Sequence, residues 1–151
     1  MSGQDSESVV LDRLAIEALI PHREPFLWLD EVLELSETLV RARKRVAEDL
    51  EIFRGHYPDF PVLPGVLLCE AVFQAGAVLI ASAGDIPEGH VPVVTRQHET
   101  RFRRMVRPGE VLEIEARLDE TLGGAWFLSG TVRVDGQVAV RLQFACTAAE
   151  V

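Results

Sequence analysis

Cysteine is scarce in this chain: Cys69 and Cys146 are the only two among 151 residues, and both stand in apolar surroundings. Neither belongs to a CxxC pair or sits beside histidines at ligand spacing, so nothing in the sequence implies a metal site, zinc or a disulfide, and two buried free thiols are expected. No stretch reaches the ~20 apolar residues that span a bilayer, and the N-terminus lacks the basic-then-apolar plan of a signal peptide. A soluble, cytoplasmic protein without membrane insertion is therefore expected. Basic residues are also few, 15 against 24 acidic ones, for a net charge of −9. Phosphate neutralisation needs a basic face, so nucleic acid is not an expected partner. Clusters of Pro and Gly are sparse and the patterning is sustained, which argues against disorder.

What is present suits one domain. An apolar content of 48% can build a core at this length, and residues 9–151 read as a single unit behind a flexible tail, residues 1–8. Residues Val10 to Ile20 fit a short amphipathic helix that Pro21 ends. Phe26–Leu35 and Leu39–Ala47 read as paired strands joined by Ser36-Glu37-Thr38, followed by a proline-rich loop from Arg54 to Pro64. Gly65 to Ala83 is apolar except for Glu70, Gln74 and Ser82, too long for a strand, and stopped by Gly84; it reads as a helix buried nearly all round. Strands follow to the end. Leu112, Ile114, Ala116 and Leu118 alternate with charged residues, and Asp135-Gly136 between two β-branched runs signals a two-residue hairpin. The whole is an α+β plan, an antiparallel sheet wrapped on a long central helix. Wrapping on one side leaves a sheet edge open, so association into a dimer is expected.

Two residues are the candidates for chemistry, although taken singly Glu70 also reads as a helix-edge or arginine-paired carboxylate and His56 as a turn residue. His56, in Gly55-His56-Tyr57-Pro58, lies on a rigid loop fenced by Pro61 and Pro64, and Glu70 is a lone carboxylate within Val66-Leu67-Leu68-Cys69-Glu70-Ala71-Val72-Phe73. A carboxylate in such company must pair or neutralise, because burying it unpaired is costly. Gln74, four residues on, shares its helix face and is placed to hold the carboxyl in one orientation. Positive charge gathers in two groups, Arg41-Arg43-Lys44-Arg45 and Arg101-Arg103-Arg104-Arg107. These read either as solvated strand faces, which the alternation of Arg41, Arg43 and Arg45 fits, or as a dock for an acidic or phosphorylated partner.

The combined motifs Pro21-His22-Arg23-Glu24-Pro25-Phe26-Leu27, Gly55-His56-Tyr57-Pro58, Pro61-Val62-Leu63-Pro64-Gly65-Val66, Glu70-Ala71-Val72-Phe73-Gln74-Ala75 and Arg101-Phe102-Arg103-Arg104 resemble, in order and spacing, the β-hydroxyacyl-acyl carrier protein dehydratases of the FabZ type. The resemblance runs from about Leu11 to near the end and implies a hot-dog fold, a homodimer with active sites at the subunit interface, and commonly a trimer of dimers. It implies a hydro-lyase that removes water from a (3R)-hydroxyacyl thioester to give the trans-2-enoyl thioester in fatty acid biosynthesis, with no cofactor. The implied partner is acyl carrier protein bearing the acyl chain on 4′-phosphopantetheine. His56 matches the catalytic histidine and Glu70 the acidic partner, reaching the site from the other subunit. Gly65 matches the glycine whose N–H binds the thioester carbonyl, and Val62 the residue whose carbonyl orients the histidine ring. Gln74 and Phe73 fall among substrate-binding positions, Phe73 being bulkier than the family often has, with core packing the preferred reading. Arg101, Arg103, Arg104 and Arg107 become carrier-docking candidates. Tyr57 stands where phenylalanine is usual, and Thr95–Thr100 is more polar than usual.

Dehydration needs one group to take the proton alpha to the carbonyl and another to assist the departing oxygen. Two titratable groups suffice, and the residues alone leave open which moves which proton. His22, His90 and His98 read as structural or surface residues. A hot-dog thioesterase, a non-catalytic acyl-binding module, or a dehydratase serving polyketide or lipid A supply are the alternatives.

Overall fold

A computed structural model of the chain describes residues 8–151; of the tail expected over residues 1–8, all but Ser8 lie outside the described residues. Two helices and six strands follow in the order α1 (Arg13–Leu19), β1 (Glu31–Leu35), β2 (Leu39–Arg45), α2 (Gly65–Ser82), β3 (His90–Phe102), β4 (Val111–Leu122), β5 (Ala125–Val134) and β6 (Gln137–Glu150). α1 starts where the Asp12 carboxylate accepts a hydrogen bond from the Ala15 N–H at 2.9 Å, satisfying a donor that the first turn leaves open. Among the described strands every pairing is antiparallel, in the spatial order β1-β2-β4-β5-β6-β3. The expected Asp135-Gly136 hairpin joins β5 to β6, with φ of 51° and 78°, the left-handed pair that a two-residue turn requires.

The first strand differs from expectation. It begins at Glu31 rather than Phe26, because the backbone before it is engaged elsewhere: Trp28 N–H donates to Gln74 Oε1 at 2.7 Å and Phe26 C=O accepts from Gln74 Nε2 at 2.8 Å. The first helix is likewise shorter than Val10–Ile20.

α2 is the core helix. Strands β2 through β6 pack on it, and eleven of its eighteen residues are buried. At 18 residues and a mean hydropathy of 1.8 it is long and apolar enough to cross a membrane by length and composition, which amends the expectation that no segment comes close. Its apolar surface is instead spent on the sheet. Two glycines bring helix and sheet together: a Cβ at Gly130 would lie 2.2 Å from Val72, and one at Gly76 would lie 2.9 Å from Phe144. Both cysteines are buried free thiols, and burial pushes the Cys146 thiol up to about 12.

The positive cluster on β2 divides by strand alternation. Arg41 and Arg43 point outward beside Glu34 and Glu31, whereas Lys44 points inward, 7% exposed, 3.2 Å from Asp30 and over the Trp28 ring. A buried ammonium needs both of those partners.

Candidate active site

His56 sits just past a 3-10 turn, Glu51–Arg54, whose Ile52 carbonyl accepts from the His56 N–H at 3.1 Å. Its Nδ1 lies 2.7 Å from the Val62 carbonyl. A carbonyl only accepts, so Nδ1 carries the proton and Nε2 keeps its lone pair. Tyr57 turns the chain with φ 60° and stacks on the imidazole at 4.5 Å and 9°. The loop is fastened at its far end by Leu63 N–H donating to Val106 C=O at 2.8 Å and by the Arg107 guanidinium 3.7 Å above the Phe60 ring. The Val62 carbonyl is thus the group that the imidazole Nδ1 faces.

Gly65 opens α2. Among the described residues no side chain caps this end of the helix, and Leu67 N–H donates to the Pro64 carbonyl at 3.0 Å, which leaves the Gly65 and Val66 N–H groups at the positive end of the helix dipole. Phe102, at the end of β3, lays its ring over Gly65: a Cβ there would come within 2.7 Å of it. Any side chain at 65 would compete with this ring.

Glu70 lies five residues along the same helix and is half-buried. Gln74 Nε2 donates to its Oε2 at 3.0 Å, as the four-residue spacing predicts. With its other donor and its oxygen bonded to Phe26 and Trp28, Gln74 is 0% exposed and has no group left to offer a substrate, so it is a brace for Glu70. Phe73 packs edge-to-face on Phe144 at 5.1 Å, which is the core role preferred for it. His22, read from sequence as structural or surface, is the partner that reading missed: its Nε2 lies 3.6 Å from Glu70 Oε2. The two are 48 positions apart, so no local spacing could reveal the contact. His98 is exposed, and His90 lies 2.9 Å from the Glu88 carbonyl.

Among the described residues no hydrogen bond or ion pair joins His56 to Glu70. The four carrier-docking candidates also separate. Arg104 is committed to the fold through two bonds to Glu110, at 3.0 and 2.8 Å, and one to Gln137 at 2.9 Å. Arg107 covers Phe60. Arg101 and Arg103 are exposed, without an ion pair among the described residues, on either side of Phe102. They line a depression on the outer face of the sheet together with Arg117, Arg133 and Arg141.

Comparison with known proteins identifies the family. A family model described as a FabA-like domain matches residues 20–143. The chain is 39% identical over 124 residues to the 3-hydroxyacyl-[acyl-carrier-protein] dehydratase FabZ of Clostridium perfringens (strain SM101 / Type A), covering 82% of this chain and 88% of that protein. Identity is also 39%, over 141 residues and 92% of both chains, with the protein of the same name from Oleidesulfovibrio alaskensis. Among solved structures, the dehydratase heterocomplex ApeI:P from Xenorhabdus doucetiae superposes with a TM-score of 0.76 at 19% identity, over 89% of this chain and 91% of that one. A hypothetical thioesterase from Streptococcus pneumoniae TIGR4, solved with coenzyme A, gives 0.63 at 12% identity, over 80% and 85%. Both likenesses bear on the fold alone, and the fold is the hot-dog fold. With a family match across most of the chain and relatives of this identity over nearly their whole length, the chain belongs to the FabA-like family, among its FabZ-type dehydratases.

Proposed function

We propose that the chain is a 3-hydroxyacyl-[acyl-carrier-protein] dehydratase, a hydro-lyase that converts a 3-hydroxyacyl thioester to the 2-enoyl thioester in fatty acid biosynthesis. The observation that carries this reading is the pinned imidazole: Nδ1 bonded to Val62 C=O at 2.7 Å leaves Nε2 as a base of fixed direction. Nε2 takes the C2 proton, the electron pair of that C–H bond becomes the C2–C3 double bond, and the C3–O bond breaks. Glu70 gives its proton to the departing oxygen, which leaves as water. The N–H of Gly65 receives the thioester oxygen while negative charge develops on it. Phe102 lies over Gly65 at this spot.

The site is completed when two copies associate along β3, which has the edge position in the sheet and exposes Val93 and Val94. Glu70 of the second copy then faces His56 of the first. Residues 9–151 act as one domain. Arg101 and Arg103 are the carrier-docking charges, being exposed beside the Phe102 that covers Gly65; Arg104 holds the fold through Glu110 and Arg107 holds the His56 loop through Phe60 instead. The protein works in the cytoplasm as a homodimer.

The test is enoyl-thioester absorbance with purified protein and a 3-hydroxyacyl-carrier substrate, beside His56→Ala and Glu70→Gln. Enoyl product from wild type, with rates reduced about 10²–10⁴-fold in each variant, is expected. Free thiol without enoyl product would establish a thioesterase, and tight binding without turnover an acyl-binding module.

A further inference from the structure

Glu70 is held by one oxygen only. Gln74 donates to Oε2 at 3.0 Å and His22 Nε2 stands 3.6 Å from the same atom, while Oε1 has no partner among the described residues. The two neighbours arrive from different elements, Gln74 from the next turn of α2 and His22 from the segment between α1 and β1.

The other nitrogen of His22 fixes the tautomer. Nδ1 is buried and has no hydrogen-bond partner among the described residues. A buried N–H left unpaired is rarer and costlier than a buried lone pair left unpaired, so the ring proton belongs on Nε2, the atom facing Glu70. The charged groups around the ring are few. Burial, the largest influence, lowers the His22 pKa, Glu70 raises it and neighbouring Arg23 lowers it. Arg23 is turned away, its guanidinium bonded to the Ile20 and His22 carbonyls and 3.8 Å from Glu17. What Glu70 meets is thus a neutral ring presenting one N–H. At 3.6 Å the contact is longer than a hydrogen bond and acts through charge and dipole.

We propose that His22 is a positioning residue for Glu70: with Gln74 it directs two N–H groups at Oε2, so that the carboxyl proton used in the reaction resides on Oε1. This rests on the reading of Glu70 as the acid of a dehydratase. A carboxyl free to exchange its oxygens would offer its proton in the wrong direction part of the time; one clamped at Oε2 presents it in one direction. His22 touches no substrate in this scheme.

The deciding measurement is the titration of His22 by NMR on ¹⁵N-histidine-labelled protein, in wild type and in Glu70→Gln. Glu70 raises the His22 pKa, so Glu70→Gln should move the His22 titration to lower pH; an unchanged titration would overturn the proposal. Kinetics give the second arm. His22→Phe should lower kcat about tenfold with KM nearly unchanged, and His22→Gln, which keeps an N–H, should recover part of the loss. Wild-type kcat in His22→Phe, or equal losses in both variants, would also overturn it. If wild type makes no enoyl product, the dehydratase reading fails, and the titration still decides whether the two side chains are coupled.

Discussion

Gly130→Ala is a severe test of how the helix is seated. Gly130 lies in the middle of β5, paired with Ala116 of β4 on one side and Leu142 of β6 on the other, so its backbone cannot slide away. Its inner face meets α2. A Cβ built there lies 2.2 Å from Val72 Cγ1 and 2.9 Å from the Glu115 carbonyl oxygen. The first distance falls ~1.3 Å short of the ~3.5 Å at which carbon atoms rest. Val72 is 0% exposed, and a β-branched side chain on a helix has essentially one rotamer, so it has nowhere to turn. The helix must shift or the sheet must open. Overpacking of this kind costs about 3 kcal/mol, the upper end of its usual range, because a backbone carbonyl is the second obstacle. For a chain of this length that is a fall in Tm of about 6–12 °C.

The assay is thermal unfolding of wild type, Gly130→Ala, Val72→Ala and the double variant. Val72→Ala removes the Cγ1 that clashes, after which the nearest Val72 atom to the new Cβ is its own Cβ, at 3.5 Å. The double variant should therefore be more stable than the sum of the single losses by at least ~1 kcal/mol, with incomplete rescue because the Glu115 carbonyl remains. A Gly130→Ala protein melting within about 2 °C of wild type would refute the reasoning, as would strict additivity in the cycle.

Two other expectations concern charge and assembly. Arg104, by its side-chain hydrogen bonds, holds the Glu110 carboxyl below its ordinary value of 4.5, with burial opposing. A depressed carboxylate contributes stability that is present above the unfolded value and lost as pH falls through the folded one. Glu110→Gln should therefore cost ~1 kcal/mol at neutral pH, and its gap from wild type in urea unfolding should close in acid below that carboxylate range; a gap that persists there would count against the pair. Mixing His56→Ala with Glu70→Gln, each nearly inactive alone, should restore about a quarter of wild-type rate: half the dimers are mixed, and one of the two sites in each is intact. No recovery after verified subunit exchange would place both groups in one chain.

Much of this was legible in the sequence, and the reasons differ by element. The central helix was read to within one residue of its observed end, since an apolar run of that length admits no strand and Gly84 stops it with φ 78°. The Glu70–Gln74 bond followed from a four-residue spacing, because helix geometry is local. The start of β1 was misread because Phe26 to Leu29 look like a strand, and Leu27, Trp28 and Leu29 are indeed buried; their backbone groups, however, are claimed by a side chain 46 and 48 residues away. Lys44 was grouped with its basic neighbours by charge, while alternation had already assigned it to the inner face with Ala42 and Val46. The contact between His22 and Glu70 could not be read at all, for the two are distant in sequence and near only after folding.

The two groups proposed to react are fixed by different means. Glu70 stands on a helix that cannot slide, since Gly130 receives Val72 and Gly76 receives Phe144 at distances that leave no slack. Once the helix is fixed, one hydrogen bond and one close imidazole are enough to direct the carboxyl. His56 stands on a loop, which has no such lock, and its direction depends on a single short bond to Val62 and on the ties that anchor Leu63 and Phe60. Loosening the helix should therefore reduce stability and activity together. Loosening the loop, by removing the Arg107 guanidinium from Phe60, should reduce activity with little change in Tm, because the contact covers an exposed Phe60 outside the core.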